Sequence, residues 1–474
     1  LFRNYNLFAG LSWLLIAVFF IVPLGQIGLF DDGVFYGCIS RNLATQPSAN
    51  AWELVVSPTL DGNFNGHPPF MFWVQSYFFT LLGDHFWIEK VFSFCCLLLS
   101  LLAIKSIWNL LLPNYKLYAY LPVFCWLLTP ITWWSFGNNM LENLLTVLDL
   151  WAVFFIFKYI FSNKWLNISI LYVIIILIAA SLTKGPVGLY PLAVFATIFI
   201  IDKRAHFVKS SWAALLIVLG IVGFYAGLMA VSQPAKDFLY RYVELQISPS
   251  LSGQSAATSR FLILQKIVEE NLILLALILI SFFVQKWKQL AVSQLNIAAF
   301  NTFIFIALSA TLPMMISPKQ LGFYIVPALP LFGLAAAVLL LPMAEYLRRL
   351  QSDWRWFWRA INLGIIACFI LFCINFGTIG RNKQMLADVQ IINKKIAAHT
   401  VVRLQSELYK TWSLHGYLYR FGYINLICDD SRPYRYWLVE KNTPFTLLDY
   451  QKMELNTQLY DIWENKNIEI EFKK

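Results

Sequence analysis

Residues 69–83 read PFMFWVQSYFFTLLG, and whether this run crosses a membrane decides the topology of the whole chain. As a helix it spans about 22 Å at ~1.5 Å per residue. A bilayer's hydrocarbon core is ~30 Å thick. The surrounding chain is 59% hydrophobic and 13% charged over 474 residues, too poor in charge for a soluble globular protein. Apolar stretches of spanning length point to a polytopic α-helical membrane protein. The alternation in short pieces that marks a transmembrane β-barrel is absent.

Eleven spans are expected, at 8–30, 88–111, 117–135, 140–161, 166–183, 186–201, 211–232, 268–285, 296–316, 323–342 and 357–377. The net charge of +10 sits mainly at helix ends, so it marks membrane orientation rather than a nucleic-acid partner. Basic segments fall at Lys158–Lys164, at Lys203, Arg204 and Lys209, at Lys286–Lys288 and at Arg348–Arg359. They share one side, with the N-terminus cytoplasmic, only if 69–83 does not cross. That run therefore reads as an interfacial helix on the outer leaflet, with Phe70, Phe72, Trp73, Tyr77 and Phe78 at headgroup level. The first apolar run, Phe8 to Phe30, is longer than a signal-peptide core and reads as a retained span.

Two domains follow. Residues 1–377 form a transmembrane domain, with 31–87 an external loop that includes a short surface helix from Asp32 to Leu43. Residues 378–474 form a small external α/β domain. There, Met385, Val389, Ile392 and Ile396 suit one helix face, Trp412 to Tyr423 a second helix, and Tyr436–Val439 and Ile468–Phe472 strands. Seven cysteines show no CxxC or Cys/His spacing, which excludes a zinc ribbon. No Gly-rich nucleotide loop is present.

Ionisable groups at the outer membrane half are costly to bury and are candidates by default. They are Asp31, Asp32, His67, Glu89, Glu142, Lys184, Glu244, Arg260 and Lys319. Each also has a structural reading. Asp32 suits a helix N-cap, Glu142 the positive end of a span's dipole, and Glu89-Lys90 a local pair. Lys184 stands before Gly-Pro at a break between spans, where a cation snorkels or meets an anionic ligand. His67 before Pro-Pro is a loop residue or a ligand. An acidic and basic cluster over a membrane cavity suits a lipid with an anionic head meeting something from the aqueous side.

These stretches resemble the bacterial polyprenyl-phosphate-sugar transferases of the protein-mannosyltransferase superfamily, which includes aminoarabinose transferase and has the GT-C fold. The similarity lies in LFDDGVFYGCISRNLA, GHPPFMFWVQSYFFTLLGDHFWIEKVFS, LTKGPVGL and SPKQLGFYIVPALPLFGLAAA, and covers about residues 1–345. It implies a GT-C-like membrane enzyme in the bacterial inner membrane, with a periplasmic active site and C-terminal domain. The donor would be a polyprenyl-phosphate-linked sugar, and the acceptor a lipid, glycan or protein. The loop carboxylate of the family carries over to Asp32, as base or acceptor organiser, with Tyr36 four residues on. Lys184 matches the family's Thr-Lys-Gly-Pro motif as the phosphate-side cation. Asp31, Tyr36, His67, Glu142, Glu244, Arg260, Lys319 and Tyr324 are the substrate-binding candidates. Where relatives carry Glu-Lys before Pro-Pro, this chain has Gly66-His67. A divalent metal, if used, would draw on Asp32, His67 and Glu142. Two other readings compete: a lipid-linked-sugar flippase, which predicts charges within the spans, and a non-catalytic scaffold with an external binding domain.

Overall fold

The computed structural model describes residues 7–45, 50–60, 62–201, 207–252, 259, 261–288, 297–317, 320–350, 355–429, 432–444 and 448–472. Nine helices among them are long and apolar enough to cross a membrane. They are Leu7–Leu24, Ile88–Leu111, Leu141–Ile160, Ile168–Thr197, Phe207–Val231, Leu262–Trp287, Ile297–Ile316, Gly322–Arg349 and Arg355–Asn375.

The difference from eleven has two local causes. The expected span 117–135 is interrupted: Leu121–Leu127 and Pro130–Gly137 are separate short helices. Thr129 is extended (ψ 118°), as a residue before proline prefers. Ile168–Thr197, in turn, is one apolar stretch that folds back on itself. Gly185 lies at φ +71°, and a Cβ on Gly188 would sit 2.7 Å from the carbonyl of Ala180. Residues eight apart on a straight helix are about 12 Å apart. The chain therefore reverses at Lys184-Gly185, where the expected spans 166–183 and 186–201 divide.

Two compact units emerge. One comprises Leu1–Val22, Asn65–Met71 and Ser93–Ile374; the other comprises Pro23–Phe64, Phe72–Phe92 and Asn375–Lys474. In the first, burial separates core from lipid face. The apolar window of Gly322–Arg349 is 89% buried, against 11% for Phe207–Val231, 17% for Leu262–Trp287 and 11% for Arg355–Asn375. Those three present apolar surface that only hydrocarbon solvates well. Lys209 Nζ donates to the carbonyls of Tyr159 (3.0 Å) and Ile160 (3.3 Å), which closes the C-terminus of Leu141–Ile160 with positive charge. Glu142 occupies the first turn of the same helix, so acid and base complement its dipole from opposite ends.

The second unit contains a five-stranded sheet in the order β2-β1-β3-β5-β4. Its strands are β1 (Val401–Leu404), β2 (Asn425–Ile427), β3 (Tyr436–Glu440), β4 (Gln451–Lys452) and β5 (Tyr460–Glu464). β1 is parallel to β2 and β3, while β5 is antiparallel to β3 and β4. Helix Trp412–Gly422 makes the β1–β2 crossover that a parallel pair requires.

Several expectations shift here. The inward face of helix Lys383–Asn393 uses Leu386, Val389 and Ile392, with Met385 only partly covered. The last strand is Tyr460–Glu464; of 468–472, Phe472 makes a single bridge to Thr400. The loop helix runs from Asp31 to Thr45 and is no surface helix, because Val34, Tyr36, Cys38, Ile39, Ser40 and Arg41 are buried. Helix Phe70–Leu82 forms as expected, but its aromatic residues do not all face outward. Phe72 is fully buried, 5.5 Å from the Tyr36 ring, and Phe78 meets Phe92 edge-on, whereas Tyr77 is 67% exposed.

Candidate functional site

In the first unit, the reversal at Gly185 leaves Lys184 at the end of helix Ile168–Lys184, with only about 10% of its side-chain surface exposed. Its ammonium donates to the Glu142 carboxylate, which is 1% exposed. A glycine is required at the turn, both for its positive φ and because a Cβ there would collide with the Tyr242 hydroxyl. Burial, aided slightly by Tyr225, pushes Tyr242 up to about 12, so that hydroxyl stays protonated.

Aromatic rings complete the setting. Lys184 Nζ lies 4.2 Å from the Tyr324 ring centroid and 5.9 Å from that of Phe323. An ammonium over a ring face is attracted to the ring quadrupole, most strongly where water is excluded. Phe323 stacks at 5.6 Å on Trp134, whose helix Pro130–Gly137 is fixed at its N-terminus by Glu270: the carboxylate accepts from the Ile131 N–H at 2.7 Å. At the C-terminal end, Ser135 donates to Asn143 at 2.7 Å, and Asn143 donates back to the Ser135 carbonyl at 3.0 Å. Glu270 and Phe323 escaped the sequence reading. Glu270 looks like an ordinary charged residue of a span, and Phe323 is one of 40 phenylalanines.

In the second unit, Asp31 and Asp32 occupy the first turn of the loop helix, where carboxylates favour the dipole. Asp32 is thus inside the helix rather than its cap. Asp31 accepts a 2.6 Å hydrogen bond from Ser413, so it has a structural partner. Tyr36 is buried between Phe64 and Phe72. Glu89 and Lys90 are not a local pair. Lys90 donates to the carbonyls of Pro23 (3.0 Å) and Gln26 (2.5 Å), while Glu89 accepts from Arg420 Nε at 2.5 Å. Arg420 also donates to Asp84 (2.6 Å) and to the His85 carbonyl (2.9 Å). Burial acts to lower its pKa, but the two carboxylates outweigh that and raise it.

Of the other candidates, His67 is partly covered beside the buried Pro68 and Pro69, and Glu244 is exposed. Arg260 and Lys319 lie outside the described residues. The structure brings Lys184, Glu142 and Tyr324 together. Among the described residues, no three His, Cys, Asp or Glu side chains group as metal ligands would.

Residues 66–229 match the family described as dolichyl-phosphate-mannose-protein mannosyltransferase. No curated protein matches the chain by sequence. Among solved structures, ArnT from Cupriavidus metallidurans bound to undecaprenyl phosphate is similar over 97% of this chain and 97% of its own, at 14% identity and TM-score 0.66. Its apo form covers 94% and 96%, at 15% identity and TM-score 0.62. The apo oligosaccharyltransferase of Archaeoglobus fulgidus covers 92% of this chain and 70% of its own, at 12% identity and TM-score 0.50. At such identities the structural likeness establishes the fold. The GT-C-like architecture expected from the sequence is borne out. With the family match, so is the resemblance to the protein-mannosyltransferase superfamily and the reading as a membrane glycosyltransferase. His67, Glu142 and Lys184 fall within the matched residues; Asp31, Asp32, Tyr36, Glu244 and Tyr324 fall outside them.

Proposed function

We propose that the chain moves a sugar from a polyprenyl-phosphate carrier to a hydroxyl acceptor at the external face of a bacterial inner membrane, with inversion at the anomeric carbon. The observation that carries this reading is the buried Lys184 ammonium, held between the Glu142 carboxylate and the Tyr324 ring at a chain reversal within an apolar unit. A charge retained at such a place needs a reason beyond stability. The family match spans it, and a relative of the same fold is known bound to undecaprenyl phosphate.

The chemistry assigns each group a role. The acceptor oxygen bonds to the anomeric carbon as the bond from that carbon to the phosphate oxygen breaks. The electron pair leaves on the carrier, which changes from a diester with one negative charge to a monoester approaching two. A cation at the phosphate therefore binds the transition state better than the substrate, and Lys184 is assigned that role. Lys184 has three N–H donors, and Glu142 engages one oxygen's worth of them. The acceptor proton goes to Asp32, which then releases it to water. Tyr36, beneath Asp32 on the loop helix, stiffens that segment by its burial. His67 stands where relatives carry a lysine and contributes positive charge only when protonated. The small sheet-bearing region and the active groups are assigned to the periplasmic side by the distribution of basic residues.

The test is transfer in reconstituted vesicles with a panel of polyprenyl-phosphate sugars, comparing wild type with Asp32→Asn and Lys184→Ala. Asp32→Asn is expected to fold normally and lose about a hundredfold or more of the transfer rate. Full activity in well-folded Asp32→Asn would overturn the assignment of the base. Passage of intact donor across the vesicle membrane without transfer would favour the flippase.

A further inference from the structure

The loop helix that carries Asp32 is fastened along its length to a helix nearly four hundred residues later in the chain. Tyr417 donates to the Leu29 carbonyl at 2.5 Å and accepts from the Leu29 N–H at 3.2 Å, just before the helix begins. Ser413 holds Asp31 at its first turn. Gly416 lies so close to the next turn that a Cβ would sit 2.8 Å from Val34 and 3.1 Å from Phe35. The Cys38 thiol points to the Gly416 carbonyl at 3.7 Å. At the far end, Arg41, wholly buried, donates to the carbonyls of Tyr419 (3.0 Å) and Arg420 (2.8 Å).

The Arg41 contact is chemically specific. Carbonyls in the last turn of a helix carry the negative end of its dipole, so a guanidinium there neutralises them; the Tyr419 carbonyl accepts from Arg41 in addition to the Tyr423 N–H at 3.0 Å. The Arg41 guanidinium also lies over the rings of Tyr423 (3.8 Å) and Tyr419 (4.7 Å). Burying a charge on carbonyls and rings fixes a direction that ordinary apolar packing leaves free to slide.

We infer that helix Trp412–Gly422 is a positioning element for Asp32, with Tyr417 and Arg41 as the positioning residues. They act through the loop helix and touch no substrate. This rests on Asp32 being the base. The C-terminal region then belongs to the catalytic machinery rather than to a separate binding function. The step it serves is proton removal from the acceptor, so it governs turnover and leaves donor binding alone.

The experiment measures kcat, donor KM and thermal midpoint for the full-length chain in vesicles, with Tyr417→Phe, Arg41→Gln, Arg41→Lys and Asp32→Asn. Tyr417→Phe keeps the ring and removes only the hydroxyl. It is expected to lower kcat between about tenfold and a hundredfold, the range a displacement of order 1 Å produces, with donor KM unchanged. Arg41→Gln is expected to do the same, and Arg41→Lys, still able to reach the carbonyls, to recover part of the rate. Wild-type kcat in folded Tyr417→Phe and Arg41→Gln, with Asp32→Asn inactive, overturns the positioning role alone. An active Asp32→Asn overturns the underlying assignment of the base. Failure of Tyr417→Phe to fold also counts against the inference, since it makes that contact a stability device.

Discussion

Each unit contains a buried cation on carboxylate, and the two are built to opposite ends. In the second unit, Arg420 uses its Nε on Glu89, one Nη on Asp84 and the other on the His85 carbonyl. Tyr423 fills the other oxygen of Asp84 at 2.9 Å. In the first unit, Lys184 meets one oxygen of one carboxylate among the described residues, with the Tyr324 and Phe323 ring centroids at 4.2 and 5.9 Å. Each of the three guanidinium nitrogens has an acceptor, whereas the ammonium nitrogen has one carboxylate oxygen among the described residues. A guanidinium tied at every nitrogen to carboxylates and a carbonyl fixes a structure. A buried ammonium on a single carboxylate, kept where hydrocarbon penalises it, can take a further anion.

The largest effect that tests this contrast is on turnover. Lys184→Ala is expected to lower transfer by roughly a hundredfold to a thousandfold, the usual reach of a lost transition-state electrostatic partner. A steady-state assay at saturating donor measures it. A loss confined to KM would instead make Lys184 an anchor for ground-state binding. Arg420→Met comes next, and its effect is on stability. Leaving Glu89 buried without its cation costs about 3–5 kcal/mol. Denaturant unfolding in detergent reads this, and an unchanged midpoint would remove the distinction between the two pairs.

A third prediction concerns pH. His415 is 3% exposed, and burial lowers its pKa to about 4, with the Tyr409 carbonyl at 3.1 Å opposing in part. The unfolded chain takes up this proton first, near pH ~6.5, so the stabilisation from neutral His415 is complete above that pH. It is lost as pH falls toward about 4, by up to ~3 kcal/mol. Thermal midpoints should therefore fall across that window in wild type and less steeply in His415→Gln. The smallest expected change is the most discriminating. The double variant Glu142→Leu with Lys184→Met replaces a buried pair by apolar groups of similar size, and should stay within about 1 kcal/mol of wild type while transfer stays absent.

The fold was largely legible because its signals are local. Span length and apolarity are contiguous properties, and Lys-Gly-Pro marked the reversal at residue 185 by backbone chemistry alone. Placing 69–83 as a short helix followed from its length. The interrupted span at Thr129-Pro130 was less visible, because its apolar composition hides a break that only the proline announces. In the candidate site, Glu142 read correctly as a first-turn acid, but its pairing with Lys184 joins residues 42 apart. Arg41 and Arg420 could not be read at all. Their partners lie 378 and 331 residues away, and buried arginines in sequence look like exposed ones. Glu89-Lys90 misled for the opposite reason: adjacency suggested a pair, yet the two side chains leave in different directions.

The sheet's parallel crossover has a consequence for how the protein is made. Helix Trp412–Gly422 is the link between β1 and β2, so the partner of the loop helix exists only once residues 412–422 have been synthesised. At ~5–20 residues per second, the 331 residues between Glu89 and Arg420 take roughly 17–66 s to emerge. Throughout that interval Glu89 and Asp84 have no guanidinium, and Val34 and Phe35 of the loop helix have no Gly416 to close on. The nascent chain carries an unfinished loop helix throughout that interval, and a chain cut before Arg420 lacks the guanidinium that Glu89 and Asp84 accept from.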